Sequence, residues 1–184
     1  MSSAPRRRLW DMSPRTPTET VNLAELYDEP EMPWSRARDA LGTGSFGPET
    51  PCFLGTVRPD GRPHAAGVGA VELDGDLYFT SGPATRKARN LAANPVCTLS
   101  LRLDGIDLVL EGEARRVTDA ETLERVVALY RDGGWPAEVD GDAITARYSA
   151  QSAGPPPWHL YRLPITTAFG VGLRPPHGAS RWRF

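Results

Sequence analysis

The stretch Cys52-Phe-Leu-Gly-Thr-Val-Arg-Pro-Asp-Gly-Arg-Pro-His64 decides the fold class. An apolar and β-branched run enters Pro59-Asp60-Gly61, whose Asp-Gly pair supplies the positive-φ positions of a tight turn. The spacing predicts a hairpin with strands over Cys52 to Val57 and His64 to Leu73. Asp74-Gly75-Asp76 turns again into Leu77-Tyr-Phe-Thr80, a strand of aromatic and β-branched character. Val96 to Leu103 and Ile106 to Val117 flank Asp104-Gly105 as another hairpin. In it Cys97, Leu99, Leu101 and Leu103 share one face, and Ile106, Leu108, Leu110, Gly112 and Ala114 another. Trp158 to Leu163 and Thr166 to Val171 read as a last pair. The chain is mainly β, and its tight turns point to a small antiparallel barrel with inserted helices.

Composition agrees with one such domain. The chain has 184 residues, 40% of them hydrophobic, which is enough for a real core. Its 18 Gly and 18 Pro exceed the usual share but stay below that of low-complexity chains. Twenty-one basic against 23 acidic residues leave a net charge of −2, so no domain-wide positive field exists to hold nucleic acid. No apolar run approaches the roughly 18 residues that span a membrane as a helix. Arg6, Arg7 and Arg8 imitate the start of an export signal, but Leu9-Trp-Asp-Met-Ser-Pro14 follows where an apolar stretch of about 7 to 15 residues is required. A cytoplasmic location is expected, with Cys52 and Cys97 as buried reduced thiols.

Around the barrel domain, placed at 50–172, the expected organisation is a flexible tail over 1–21, an arm over 22–49 and an Arg- and Trp-rich tail over 173–184. The arm holds a short helix from Trp34 to Leu41, preceded by Pro33 and closed by Gly42. Gly42-Thr-Gly44-Ser-Phe-Gly47 has the glycine spacing of a dinucleotide fingerprint, yet no strand delivers it, and Pro48 and Pro51 follow; it reads as a loop. A longer helix carries a capping box, Thr118 with Glu121, then Leu123, Val126, Val127 and Tyr130 at helical spacing, and ends at Gly133. From Asp132 to Pro157 a Gly-, Asp- and Pro-rich stretch containing Trp135 reads as a long loop.

The chemistry concentrates on a third helix, Pro83 to Ala93, directly after the Leu77 to Thr80 strand. Ala84, Ala88 and Leu91 mark its buried side, and Asn94-Pro95 stops it. Arg86, Lys87 and Arg89 crowd its first turns, where the helix dipole already presents positive charge and acidic residues are preferred. Lys87 is the chain's one lysine beside 20 arginines. A bound phosphate would resolve the repulsion, held by free backbone N–H groups, by the hydroxyls of Thr80, Ser81 and Thr85, and by at least two cations. The spacing puts Arg86, Arg89 and Asn90 on one stripe, with Lys87 about 100° around from Arg86. Charge alone leaves a solvated basic face equally open.

Gly61-Arg-Pro-His64, Pro83-Ala-Thr-Arg-Lys-Ala-Arg-Asn-Leu-Ala-Ala-Asn-Pro95, Leu110-Glu-Gly-Glu-Ala114, Ala128-Leu-Tyr-Arg131 and Leu163-Pro-Ile-Thr-Thr-Ala-Phe-Gly170, in this order, resemble the pyridoxamine 5′-phosphate oxidase-like split-barrel superfamily. Within it the combination is most similar to the coenzyme F-420-dependent flavin/deazaflavin oxidoreductases of actinobacteria, over roughly residues 50 to 172. The resemblance implies a six-stranded antiparallel split β-barrel and a homodimer with cofactor sites at the subunit interface. It assigns the cofactor phosphate to Ser81, Arg86, Lys87 and Asn90, and brings Thr56, Pro63 and His64 near the flavin or deazaflavin ring. Arg162-Leu163-Pro164 matches only in part the segment with which pyridoxamine oxidases hold their substrate, so vitamin B6 oxidation is not expected.

No rival constellation stands beside this one. His64, His159 and His177 lack metal-ligand spacing, and no nucleophile sits beside a base in a recognised arrangement. The reading is an oxidoreductase using deazaflavin F-420 to transfer hydride to a small conjugated organic substrate, since a cofactor that performs the chemistry explains a missing catalytic motif. The alternatives are an FMN-dependent oxidase or reductase and a flavin or deazaflavin carrier without turnover.

Overall fold

Short strands that end at tight turns bury a face only by stacking into more than one sheet, and this chain builds three. The computed structural model describes residues 15–42, 44–47, 49–150 and 153–184. Its strands are β1 (Glu19–Asn22), β2 (Gly44–Ser45), β3 (Cys52–Val57), β4 (Pro63–Gly67), β5 (Ala70–Leu73), β6 (Asp76–Ser81) and β7 (Val96–Leu103). They continue with β8 (Ile106–Glu113), β9 (Arg115–Val117), β10 (Ala137–Asp140), β11 (Ala143–Ala146), β12 (His159–Leu163), β13 (Ile165–Gly172) and β14 (Ala179–Arg183). The helices are α1 (Trp34–Leu41), α2 (Arg86–Ala93) and α3 (Ala120–Asp132). A seven-stranded sheet, ordered β1-β14-β13-β8-β7-β3-β4, packs on a five-stranded one, β2-β5-β6-β12-β9, and β10 with β11 forms a separate hairpin. The fold is thus mainly β and barrel-like, with more strands than the six expected.

Corners account for much of the difference. The segment His64 to Leu73, expected as one strand, bends at Val68-Gly69, so that β4 stays in the larger sheet and β5 enters the smaller. Ile106 to Val117 breaks likewise at Ala114, and Pro164 carries the chain from β12 to β13. Gly112 is required at that last corner, because a Cβ there would collide with the Pro164 carbonyl oxygen.

Two apolar clusters flank the five-stranded sheet. Leu54, Phe79, Leu99, Leu110 and Trp182 fill the space between the sheets under α1. Val71, Tyr78 and Leu160 meet Leu123, Val126 and Val127 of α3 on the other side. Helix α3 is capped by Asp119, whose carboxylate accepts from Thr122 N at 2.9 Å, one residue beyond the expected Thr118. Cys52 and Cys97 are free and buried, and burial pushes both thiols up to about 11.

The expected termini are corrected. The tail boundary at residue 21 falls inside β1, which pairs with β14; the part over 1–14, Arg6 to Arg8 included, lies outside the described residues, as does Pro48. The segment 173–184 is no tail, because β14 lies between β1 and β13 in the large sheet. Ser180 and Trp182 alternate inward along it, both fully buried. Trp34 meets the Trp182 ring edge-on at 5.3 Å and the Phe184 ring at 4.8 Å, and the Arg15 guanidinium lies over Phe184 at 5.5 Å. No described helix is long and apolar enough to cross a membrane. Trp182→Ala is expected to cost about 3–5 kcal/mol in urea denaturation, the range for a deleted core aromatic; a loss below about 1 kcal/mol would restore the tail.

Candidate functional site

The site begins where β6 ends. Ser81, fully buried, closes the strand, and Gly82 turns the chain toward α2. Thr85 caps the helix: its Oγ1 accepts from Ala88 N at 3.3 Å and donates to Gly82 O at 2.9 Å. Ser81 Oγ lies 2.7 Å from Thr85 Oγ1. Either hydroxyl can donate within that pair, and Ser81 Oγ also reaches Gly82 O at 3.4 Å. Both hydroxyl protons are therefore engaged inside the turn, and Ser81 and Thr85 shape the entrance to α2 rather than presenting O–H groups to a ligand. The cap also explains why α2 starts at Arg86 and leaves Pro83 in the turn.

Rotation of α2 about its axis sorts the cations. Lys87, Ala88, Asn90 and Leu91 are buried, whereas Arg86 and Arg89 are exposed. The expected stripe of Arg86, Arg89 and Asn90 is split: Asn90 shares the inner face with Lys87, three residues before it. Arg89 reaches back to the start of its own helix, donating to Ala84 O at 2.8 Å. Asn90 Nδ2 donates to Thr56 Oγ1 at 2.9 Å, an entirely buried bond between α2 and β3. Thr56 in turn lies opposite His64 in the β3–β4 register, donating to its carbonyl at 3.3 Å with Nδ1 at 3.5 Å. Pro63, exposed, pairs with Val57 at the start of β4. The buried Asn90 Oδ1 accepts no hydrogen bond from the protein.

This corner is electropositive. His64 titrates below its ordinary value because of partial desolvation and then the charges of Arg58, Arg86 and Lys87. Burial lowers Lys87 as well. With His64 depressed, the unfolded chain binds more protons near pH 6 than the folded one. The group therefore destabilises the fold increasingly as pH falls through its ordinary value of 6.5.

Beside the corner lies a cavity of about 600 Å³, within the range of small-molecule and cofactor sites. Its walls include Phe46, Phe53, Tyr130, Trp135, Tyr148 and Lys87, and Lys87 is the one charged side chain among the described residues that line it. Thr80 also faces it and hydrogen-bonds the Tyr130 phenol, which donates to Gly69 O at 3.2 Å and is pushed up by burial. Trp135 Nε1 donates to Tyr148 O at 2.6 Å and Tyr148 Oη to Gly134 O at 3.1 Å, a mutual clasp that holds the loops after α3 and β11 together. Phe53 is 53% exposed, so this aromatic wall stays partly open.

Of the nine expected site residues, Lys87 and Thr80 line the cavity. Thr56, His64 and Asn90 form the adjoining polar cluster, Ser81 and Thr85 build the turn, and Arg86 and Pro63 stand at the surface. Sequence reasoning missed Arg58, whose position just after β3 beside the Asp-Gly turn was a signal for it, and Tyr130 and Tyr148 of the aromatic wall. The described residues contain no group of three or more His, Cys, Asp or Glu able to hold a metal ion.

The donor set suits an anionic aromatic group: flat apolar walls, one buried ammonium at their edge, further cations around His64 and no carboxylate among the described lining residues. Comparisons with known proteins show what the chain is similar to. The family model described as pyridoxamine 5′-phosphate oxidase matches residues 46–171. A pyridoxine/pyridoxamine 5′-phosphate oxidase of Acidothermus cellulolyticus is 29% identical over 103 residues, covering 53% of this chain and 46% of that protein. The match thus spans about half the length of that curated relative. Among solved structures, a putative 5-nitroimidazole antibiotic resistance protein of Bacteroides thetaiotaomicron superposes with a TM-score of 0.51 over 89% of this chain and 90% of that one, at 14% identity. A solved F420 reductase matches at a TM-score of 0.47 and 22% identity over 71% of this chain and 93% of that one.

The turn before α2 makes a separate prediction. Thr85→Ala, which removes the cap and strands Ser81, is expected to cost about 1–2 kcal/mol in denaturant unfolding, with Thr85→Ser retaining most of the stability. Equal stability of all three proteins would show that the hydroxyl does not hold the turn.

Proposed function

The chain belongs to the pyridoxamine 5′-phosphate oxidase family, and on that premise we propose that it is an oxidoreductase that binds a phosphate-bearing flavin-type cofactor in the aromatic cavity beside Lys87. The observation that carries this reading is the pairing of that cavity with its single buried cation. F-420 is the proposed cofactor in preference to FMN, on the strength of the ordered motifs from Gly61 to Gly170 in the sequence. When bound, such a cofactor supplies two-electron hydride chemistry. The chain's own groups then have four tasks.

Lys87 holds the anionic end, with Arg86 and Arg58 adding charge from the helix start and the hairpin. Asn90, clamped to Thr56, keeps Lys87 turned inward. Phe46, Trp135 and Tyr148 exclude water from the flat part of the cavity and leave space for a small conjugated organic substrate. Tyr130, oriented by Thr80 and the Gly69 carbonyl, places a polar hydroxyl in the cavity wall.

We further propose a homodimer in the cytoplasm, with the two sites at the subunit interface. Support for the dimer comes from Phe53, a cavity wall residue more than half exposed, and from the exposed Val96 at the start of β7, an apolar margin that a second copy would cover. Sedimentation or light scattering is expected to give twice the chain mass of 20.1 kDa, and a monomer at micromolar concentration would remove this part.

Titration of the purified protein with F-420 and with FMN tests the main reading. Saturable binding of F-420, tighter than FMN, is expected, followed by oxidation of the reduced cofactor by an enone or quinone acceptor. Tight FMN binding without F-420 binding would overturn the preference, and binding of neither would overturn the cofactor assignment. Lys87→Ala is expected to weaken binding by about 1.5–3 kcal/mol, the scale of a charged hydrogen bond, and unchanged affinity would take Lys87 out of the site.

A further inference from the structure

His64 lies in the field of three cations, Arg58, Arg86 and Lys87. Arg58 leaves β3 one residue after Val57 and pairs its N–H with Arg62 O at 2.9 Å, which keeps it beside the first residues of β4. From above, Asn90 anchors α2 on Thr56, directly opposite His64, so Arg86 and Lys87 sit one helical turn before the anchor and over the same strand pair. The single carboxylate of this hairpin, Asp60, is engaged elsewhere: it accepts from Arg62 N at 3.1 Å and lies 3.8 Å from the Arg62 guanidinium. On its remaining side β4 is an edge strand and half exposed, so solvent can deliver a proton to the imidazole.

We propose that His64 is the proton-linked member of the anion site: neutral when the site holds no anion, it takes up a proton from solvent when a phosphate-bearing ligand binds among Arg58, Arg86 and Lys87. The physical reason is the reversal of the local field. Three positive charges act on the ring when no anion is bound, and a phosphate brings negative charge into the same corner. Thr56 Oγ1 lies 3.5 Å from Nδ1 of the ring. Since a linkage runs both ways, binding that favours the protonated ring must itself tighten as pH falls. This inference rests on the reading of the corner as a cofactor phosphate site, and it adds a pH dependence that the cofactor alone does not impose.

The test is an NMR titration of the imidazole Cε1–H signals, with the chain's three histidines assigned through His159→Gln and His177→Gln variants. Without ligand, the His64 midpoint is expected below 6.5. With saturating FMN or F-420 it is expected to rise by about one pH unit or more, while His159 and His177 stay where they were. Direct observation of the ring avoids confusion with FMN, whose own phosphate titrates near pH 6. The affinity ratio of wild type to His64→Gln, measured from pH 8 down to 5.5, cancels that shared titration. It is expected to grow toward about tenfold per pH unit between the two His64 midpoints. A midpoint that stays put while the ligand binds, with a flat ratio, would overturn the proton linkage alone. Failure of both cofactors to bind would overturn the phosphate site and this inference with it.

Discussion

The buried 2.9 Å hydrogen bond from Asn90 Nδ2 to Thr56 Oγ1 fixes the rotation of α2, and the rest of the site depends on it. A helix start carrying Arg86, Lys87 and Arg89 could turn any of them inward. With Asn90 tied to β3, the residue three positions earlier must share its face, so Lys87 is held at the cavity wall while Arg86 and Arg89 remain outside. A lysine is expensive to bury, and burial does lower its pKa. The hydrogen bond from the Asn90 amide nitrogen to the Thr56 hydroxyl nearby holds that face of the helix against the sheet.

The fold supplies both halves of the clamp from separate sheets. β6 of the five-stranded sheet delivers the Ser81–Thr85 turn and the start of α2, while β3 of the seven-stranded sheet carries Thr56. The corners at Val68-Gly69, Ala114 and Pro164 let one chain contribute to both. The termini complete the larger sheet, with Trp182 packed between Trp34 and the core. Cavity, basic corner and hydrogen-bonded cluster thus meet along the β3–β4 pair, where Phe53 and Gly67 face the cavity and Thr56 and His64 lie three positions, roughly 10 Å, further on.

Sequence pattern revealed the local elements and missed what depends on tertiary placement. Helix α1 ends where Pro33 and Gly42 predicted, because its caps are local chemistry. The β3–β4 and β7–β8 hairpins follow from their Asp-Gly turns, with Gly61 and Gly105 at positive φ. The stretch read as a loop hides β10 and β11, although Asp140-Gly141 between two short alternating runs carried the same hairpin signal, and Gly141 has φ 61°. Alternation of Ser180 and Trp182 with Arg181 and Arg183 was legible too; the Pro- and Gly-rich approach to it disguised a strand as a tail. The inner face of α2 was half legible. Leu91 marks the apolar side, and Lys87 stands four residues before it, a spacing that pointed inward more directly than the run of cations did. Arg58 and the aromatic wall come together only through folding.

The proposed function depends on one placement, a cofactor phosphate beside the buried ammonium of Lys87. A crystal structure of the protein with F-420 or FMN bound tests it most directly. The predicted result is a phosphate oxygen at about 2.7–3.2 Å from Lys87 Nζ, with the ring system between the aromatic walls. A cofactor seated elsewhere, with its phosphate out of reach of Lys87 and the cavity unfilled, would contradict it.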